Sequence, residues 1–395
     1  MTSLIDTQDQ TLLPRSRWHR AWTLPLLAVA LLVLLAITLA SVLPSRLVAT
    51  KVQDDVETAA PYALTPRTAT PVDDHVSFGA LAGVAEVDPD RQGDVYFVTV
   101  SQPQQSVLGW WAAGGDSCNR DLPPNVSRCS ALPQIDLETT RDRFGDQTPN
   151  QVRQIALQQM RTASQVAQYV ALKKLGYEDA TIEPGAVVVA DLVSGAPAAE
   201  VLEVGDTITA IAGTPVPTVD DLRTALTDKQ PGDVVEVDLD RPGSGAMTVQ
   251  VELTANPDDA GRAILGIQPF DTRSVHLPFE VNIDTGEIGG PSAGLAFTLA
   301  LIDELSPGNL TGGGNVAVTG TIDLDGNVGA IGGLVQKVSA VRQAGVHTFL
   351  VPTAQGPDQI ARAREIGGDA VEIVPVATLD EALAALQQLG GDPLE

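Results

Sequence analysis

The chain has 395 residues, with 24 Lys and Arg against 50 Asp and Glu, a formal net charge of −26, four His and two Cys. Nucleic acid is not an expected partner, because so few cations cannot neutralise phosphates in number. Two cysteines exclude a disulfide scaffold, an iron–sulfur cluster and a four-ligand zinc site. No G-x-x-x-x-G-K-[ST] sequence occurs, which argues against a P-loop ATPase, and we expect neither a cofactor nor a metal.

Residues 21–43 form an uncharged apolar stretch of 23 positions near the N-terminus. As a helix it would be about 35 Å long, enough to cross a bilayer core of about 30 Å. Arg15, Arg17 and Arg20 precede it. The positive-inside rule therefore places residues 1–20 in the cytoplasm and the bulk of a single-pass protein outside the cell membrane. A cleaved signal peptide is the alternative, although its apolar part is usually only about 7–15 residues long.

The region after the apolar stretch is predicted to begin with a stalk or linker, residues 44–75, which is rich in Thr, Ala and Pro. Residues 76–180 contain β-like runs and an amphipathic helix over 150–175. Cys118 and Cys129 bracket a polar, proline-containing segment that we expect a disulfide to close in an oxidising compartment. Two unrelated free thiols are the alternative.

Residues 181–256 alternate short strands with turns and resemble a PDZ domain of the bacterial protease type. The resemblance rests on a Gly-led strand, a Gly-Ala-Pro-Ala turn, Leu-x-x-Gly-Asp-x-Ile, a short helix and a last strand ending in Arg-Pro-Gly. Such domains bind peptides at a sheet edge, and loop amides hold the C-terminal carboxylate. The matching positions are Gly185, Ala186 and Val187, with Val189 in the edge strand. A small β domain that acts only as a spacer is the alternative.

Ser292 is the candidate nucleophile. It follows Gly-Gly-Pro at 289–291 and opens an apolar helix within residues 276–305. The glycines allow a tight turn, and a helix N-terminus offers amides and a positive dipole end to an oxyanion, which we expect Gly290 and Ser292 to hold. The serine could instead be a plain N-cap.

Lys337 is the candidate base, because a serine nucleophile needs one. It lies on a mostly apolar helix whose side chains could desolvate the ammonium and lower its pKa by the required ~3 units. An ordinary solvated lysine is the alternative. The sequence 290–294 also fits the G-x-S-x-G nucleophile elbow, for which His347 would have to serve as the base.

The proteolytic domain of Lon proteases is similar to two stretches of the chain, GGPSAGLAFTLALIDELSPG and NVAVTGTIDLDGNVGAIGGLVQKVSAVRQAGVHTFLVP. The resemblance assigns the Ser–Lys dyad of that family to Ser292 and Lys337. It also assigns Thr319 to a threonine that helps to orient the dyad. Two departures stand out: Gly289 replaces an Asp that is common in ATP-dependent Lon enzymes, and Thr321 replaces a Glu.

The whole arrangement is similar to the membrane-anchored, PDZ-containing Lon-like proteases of bacteria. The resemblance implies an α+β fold, in which a single transmembrane helix precedes a Lon-type domain that is split between residues 76–180 and 257–395 by the inserted PDZ domain. It implies an ATP-independent serine endopeptidase that cleaves unfolded or membrane-associated proteins outside the cytoplasmic membrane as a homo-oligomer, expected to be a hexameric ring. A non-catalytic PDZ adaptor and a serine esterase using His347 are the alternative functions.

Overall fold

The computed structural model describes residues 18–53, 56–79, 92–112, 135–145, 147–193, 195–256 and 259–394. Cys118 and Cys129 lie outside these ranges, so the disulfide stays a prediction. The helices are α1 Trp18–Val42, α2 Val107–Ala112, α3 Thr140–Phe144, α4 Pro149–Lys174, α5 Val219–Ala225, α6 Gly294–Leu305, α7 Leu334–Ala344, α8 Pro357–Gly367 and α9 Leu379–Gln388.

The strands fall into several sheets along the chain. Their bounds are β1 Thr50–Gln53, β2 Val56–Ala59, β3 Tyr62–Pro71, β4 Val76–Phe78, β5 Val95–Ser101, β6 Asp136–Glu138, β7 Thr181–Leu192, β8 Thr207–Ile211, β9 Thr214–Pro215, β10 Val234–Arg241, β11 Gly245–Glu252, β12 Thr254–Asn256, β13 Asp259–Ile264, β14 Ile267–His276, β15 Val281–Ile283, β16 Val316–Val318, β17 Thr321–Ile322, β18 Val328–Gly329, β19 Thr348–Pro352 and β20 Glu372–Val376. The two six-stranded sheets belong to two separate domains.

Helix α1 covers most of the predicted apolar stretch. Within it, the segment Pro25–Val42 has a mean hydropathy of 2.7, and none of it is buried against the rest of the protein. Among the described helices, α1 is the one that is long and apolar enough to cross a membrane. A membrane anchor and a signal sequence both meet this description.

The first large sheet has the strand order β20-β19-β16-β5-β3-β6. Strands β5, β16, β19 and β20 run parallel to one another, whereas β3 and β6 join antiparallel at one side. Successive side chains of β5 enter different cores: Phe97 packs with α6 and Val98 with α7. This alternation is the ordinary two-residue period of a strand, and helices therefore cover both faces of the sheet.

The second large sheet has the strand order β11-β10-β8-β7-β14, with β9 paired to β8. It encloses a separate apolar core around Val187, Ile208 and Val237, against which α5 packs through Leu222. The sheet continues to His276 in β14 and so includes strands from both sides of the expected boundary at 256. Because the chain forms this sheet between α4 and β15, the second domain is an insertion within the first.

Helix α4 connects the two domains. It starts at a capping box in which Thr148 and Gln151 satisfy each other's backbone amides, which explains why the predicted helix begins here. Its C-terminal half is buried against α6 in the first domain. Its first turns face the second domain, where the Gln151 amide donates to Asp191 at 2.6 Å and the Gln147 amide donates to Gln268 at 2.6 Å.

Candidate active site

Ser292 lies in the turn that leads into α6. Almost every residue of α6 is buried, which fixes the start of the helix firmly in the core. The preceding loop reaches this turn through Gly290, whose φ of +92° favours glycine. The predicted glycine turn and the position of the serine at the beginning of a buried helix are both present.

Lys337 lies on α7 and points into the protein, where its side chain is 2% exposed. Its Nζ is 2.8 Å from Ser292 Oγ, 2.9 Å from Thr319 Oγ1 and 2.9 Å from the carbonyl oxygen of Val98. Burial lowers the pKa of the Lys337 ammonium from 10.5 to about 7. A solvated helix lysine, the alternative reading of the sequence, does not fit this environment.

The hydrogen bonds around Thr319 fix where the protons of this cluster can lie. The Thr319 hydroxyl donates to the carbonyl oxygen of Ser292 at 3.1 Å, so toward Lys337 it can only accept. The Val98 carbonyl also only accepts. A neutral amine would use its two N–H groups on Thr319 and Val98, and its lone pair would then face the Ser292 hydroxyl. The geometry thus suits a neutral lysine that accepts a proton from the serine.

The backbone around Ser292 corrects the prediction for Gly290. Its N–H, expected to face an oxyanion, donates instead to the carbonyl oxygen of Ala156 in α4 at 2.7 Å. Within the described part of the chain, the N–H groups of Ser292 and Ala293 have no protein acceptor. These two amides, at the beginning of α6, are therefore better placed to hold an oxyanion.

Gly289, at the position of the family's Asp, packs directly against α4. A Cβ at this position would lie 2.7 Å from the Cβ of Ala156 and 3.0 Å from its carbonyl carbon. Real Cβ atoms do not approach this closely, so only glycine fits while α4 stays in place. The packing of α4 gives the departure from the family pattern a steric reason.

A cavity of about 500 Å³ opens beside Ser292 and Lys337. One wall follows β5 from Phe97 to Gln102, and the opposite wall is formed by α4 and the loop before Ser292. Strand β16 pairs with β5 only as far as Phe97, so among the described residues the continuation of β5 has no strand on that side. The cavity and the unpaired backbone together leave room for an extended peptide.

His347 lies far from Ser292. It precedes β19 and is exposed, and its ring contacts the carbonyl oxygen of Ala370. The register pairs Val316 with Thr348, which puts His347 at the opposite end of the parallel strands from Thr319. The separation along a strand is about 13 Å, at about 3.3 Å per residue, so this histidine cannot reach the serine.

The predicted peptide-binding residues of the PDZ segment need correction. Strand β7, which carries Gly185, Ala186, Val187 and Val189, lies inside the sheet between β8 and β14, and Val189 is fully buried. The N–H of Ala186 donates to Thr272 Oγ1 of β14 at 2.8 Å. These residues therefore form neither the sheet edge nor a free amide loop.

Strand β14 is the outer strand of this sheet beside α5, and the N–H of Val219 in α5 donates to Asp271 of β14 at 2.5 Å. Its sequence, IQPFDTRSVH, contains Pro269, and proline within a strand is typical of an edge. That proline is the sequence feature by which the edge strand could have been found. The expectation followed the Gly-led strand of the PDZ resemblance, which is the inner strand β7.

Within the described residues, no group of three or more His, Cys, Asp and Glu side chains could hold a metal ion. The expectation that the site needs no metal or cofactor stays a prediction.

Comparison with known families matches residues 261–388 to the Lon protease (S16) C-terminal proteolytic domain and residues 159–254 to the PDZ domain. The chain contains a Lon-type proteolytic domain and a PDZ domain. The Lon match includes Ser292, Thr319 and Lys337, while the PDZ match begins inside α4 and ends before β14.

The chain is similar to the curated Lon proteases of several bacteria. It is 33% identical to that of Roseiflexus castenholzii over 160 residues, which are 38% of this chain and 20% of the relative. For Metamycoplasma arthritidis the identity is 35% over 115 residues, 29% of this chain and 13% of the relative. For Rhizobium meliloti the identity is 33% over 168 residues, which are 39% of this chain and 20% of the relative. The chain thus spans at most a fifth of the length of these relatives.

Two solved structures also resemble part of the chain. The PDZ domain of an SdrC-like protein from Listeria monocytogenes is 28% identical and covers 22% of this chain and 88% of its own, with a TM-score of 0.20. A solution structure from Geobacillus thermodenitrificans is 31% identical and covers 22% of this chain and 98% of its own, with a TM-score of 0.20. The PDZ assignment rests on the family match to residues 159–254.

Proposed function

We propose that the protein is an ATP-independent serine endopeptidase in which Ser292 is the nucleophile and Lys337 the general base. The observation that carries this proposal is the 2.8 Å contact between Lys337 Nζ and Ser292 Oγ inside the core. Burial lowers the pKa of this lysine to about 7, so a large fraction of the amine is neutral near neutral pH. No nucleotide-binding motif occurs in the chain, which supports independence from ATP.

The reaction would begin when the Ser292 hydroxyl gives its proton to Lys337 and Oγ attacks the scissile carbonyl carbon. The resulting oxyanion would accept hydrogen bonds from the N–H groups of Ser292 and Ala293. The Lys337 ammonium would return its proton to the leaving amine, which departs and leaves an acyl-enzyme ester on Ser292. Water, deprotonated by the same lysine, would then release the acid and restore the serine. Thr319 would keep the lysine aligned throughout.

We infer that the substrate is an unfolded or loose segment of a protein, because a peptide must be extended to enter the cavity along β5. The groove between β14 and α5 would recruit such proteins, which moves the predicted recruitment site from β7 to the outer strand. With α1 as an anchor, the proteolytic domain would act outside the cytoplasmic membrane on membrane-associated proteins. Assembly as a homo-oligomeric ring belongs to the same proposal and follows from the resemblance to Lon proteases.

A fluorophosphonate probe tests the dyad directly. The purified protein is treated with the probe, and the labelled residue is mapped by mass spectrometry. We expect label on Ser292, and its rate of formation should rise with pH through about 7 as Lys337 loses its proton. Lys337→Arg should abolish labelling, since a guanidinium does not release its proton in proteins.

His347→Ala is the matched control and should label at the normal rate. Loss of labelling in His347→Ala would favour the esterase, and an unlabelled wild-type protein that still binds peptides would favour the adaptor. Label on Ser292 that survives Lys337→Arg would overturn the assignment of the base.

A further inference from the structure

The cavity beside Ser292 is cationic, although the protein as a whole is strongly acidic. Its lining includes Arg67, Arg143 and Arg153 but only one carboxylate, Glu287. Arg153 and Glu287 form an ion pair at 2.5 Å and neutralise each other. Two guanidinium groups remain in a chain whose formal net charge is −26. The cavity therefore has an excess of positive charge, opposite in sign to the net charge of the whole protein.

Arg143 is half-buried and lines the cavity. Its guanidinium lies 5.3 Å from the centre of the Phe144 ring, and its buried Nε has no hydrogen-bond partner. Glu138 is near enough to interact electrostatically, but its carboxylate accepts both of its side-chain hydrogen bonds from Gln102. Within the described residues, Arg143 forms no ion pair. A half-buried cation without a direct counter-ion is costly, and an anionic ligand would remove that cost.

Arg67 contributes the second charge from the neighbouring strand. Between Pro66 and Ala69, β3 carries a bulge, in which two residues oppose Thr99 of β5. Bulges of this kind redirect side chains, and Arg67 at the bulge is exposed and lines the cavity. In the part of the chain that the structure describes, its guanidinium makes no ion pair or hydrogen bond.

The strand β5 gives the scale of the cavity. Lys337 contacts the carbonyl of Val98, whereas Gln102 donates to Glu138, the carboxylate that interacts electrostatically with Arg143. At about 3.3 Å per residue, Val98 and Gln102 are about 13 Å apart, which is four residues of an extended peptide. Arg67, at the bulge opposite Thr99, lies between these two points. A peptide whose scissile bond lies at Ser292 would therefore pass Arg67 and reach Arg143 within four residues.

We infer that Arg67 and Arg143 form a cationic subsite that selects peptides with an acidic side chain up to four residues from the scissile bond. This specificity rests on the proposed endopeptidase function of Ser292. The sign of the subsite is opposite to the formal net charge of −26, so an anionic segment is attracted at the cavity although the protein as a whole is acidic.

Paired peptides test the subsite. Each pair is acetylated, amidated and fluorogenic, and differs only in Glu or Gln at one position, placed in turn at each position up to four residues to either side of the cleaved bond. We expect kcat/KM to be about three- to fivefold higher for the Glu peptide at one position, mainly through KM, which is the range of a partly exposed ion pair. The preference should shrink in high salt.

Arg67→Gln should bring the Glu-to-Gln ratio of kcat/KM close to one, and Arg67→Glu should turn the preference toward a Lys peptide. Arg143→Gln should have the same effect as Arg67→Gln. Arg67 is exposed, so its variants test the subsite even if Arg143→Gln fails to fold. Arg362→Gln is the matched control, because Arg362 pairs with Glu365 on α8 and does not line the cavity.

Binding of the same peptides to Ser292→Ala protein, followed by fluorescence anisotropy, separates the subsite from the chemistry. Equal kcat/KM and equal Kd for each Glu and Gln pair would overturn the subsite while leaving the peptidase intact. A Glu preference in Kd that Arg67→Gln removes would support the subsite even if no peptide were cleaved, and that outcome would overturn the peptidase alone. An equal loss of preference in Arg67→Gln and Arg362→Gln would also overturn the subsite.

Discussion

Lys337 links the chemistry of the site to the stability of the fold. Its pKa is about 7 in the folded protein and 10.5 for an ordinary lysine. Between pH 7 and pH 10.5, Lys337 carries a proton in the unfolded chain but not in the folded one. This residue therefore makes the free energy of unfolding rise with pH in that range. At and below pH 7, burial of Lys337 lowers the free energy of unfolding by about 5 kcal/mol relative to a lysine with an ordinary pKa.

We therefore expect Lys337→Met to be more stable than the wild type at pH 7, with a difference that narrows as the pH approaches 10. Urea unfolding of both proteins at pH 7, 8.5 and 10 measures this difference, since all other titrating groups are shared and cancel. Met also leaves Val98 and Thr319 without their lysine partner. This loss reduces the stability difference between the variant and the wild type by the same amount at every pH. A difference that does not change with pH would show that the lysine is charged or solvated in the fold.

Thr319 is placed to orient the lysine in the proposed dyad. It is fully buried, accepts from Lys337 and donates to Ser292. Thr319→Val should lower kcat about tenfold, the equivalent of about 1–1.5 kcal/mol for a lost hydrogen bond, with little change in KM. Thr319→Ser keeps the hydroxyl and should retain most of the activity. Peptide hydrolysis by both variants is the measurement, and an unimpaired Thr319→Val would remove Thr319 from the site.

At the scale of elements, α4 contacts the loop before Ser292 and thereby fixes the position of this proposed nucleophile. Gly289→Ala would put a Cβ 2.7 Å from that of Ala156, so the loop or the helix must move. We expect activity to fall between ten- and a hundredfold, because a displacement of about 1 Å at a reacting group costs that much. Peptide hydrolysis and probe labelling of Ser292 would both report the loss.

A second substitution tests the steric cause. Ala156→Gly in the Gly289→Ala background removes one of the two close contacts and should restore activity in part. Gly332→Ala is the control, because a Cβ there would meet nothing within 4 Å. Full activity of Gly289→Ala would mean that α4 does not constrain the loop.

The outer position of β14 determines how the PDZ domain can be tested. Ile267→Lys places a charge at the start of the outer strand and should weaken cleavage of full-length proteins, mainly through KM, while short peptides are cleaved normally. Val193→Lys, at an exposed site beyond the end of β7, is the matched control. The measurement is kcat/KM of each variant for full-length proteins and for short peptides. An equal loss on both would indicate that the PDZ domain controls the active site, for which α4 provides a direct connection.

At the scale of the whole molecule, α1 can be separated from the remainder. The domain surface begins at Leu43, whose carbonyl accepts from the N–H of Val107. A chain that starts at Leu43 should stay in solution without detergent and cleave short peptides at the full rate, whereas the complete chain should sediment with membranes after carbonate extraction. Release of the complete chain by carbonate would contradict a membrane anchor.

The sequence by itself determined the features that depend on neighbouring residues. Hydropathy was enough for α1, because a run of apolar residues needs no partner to be recognised. The glycine turn before Ser292 and the amphipathic pattern of α4 follow from neighbouring residues in the same way, whereas the two domain types came from resemblance to known families. Resemblance to a family then singled out Ser292, Lys337 and Thr319 as one group, although the serine and the lysine are 45 positions apart.

The tertiary structure decided what depends on distant contacts. The burial of Lys337, its contact with the Val98 carbonyl and the steric need for Gly289 arise where α7, β5 and α4 meet, and no local pattern encodes those meetings. The N–H of Gly290 was expected to hold an oxyanion but is used by α4. The edge strand of the PDZ sheet was likewise misplaced, because strand order is set by pairing across the chain, and β14 arrives after the rest of its sheet is complete in sequence.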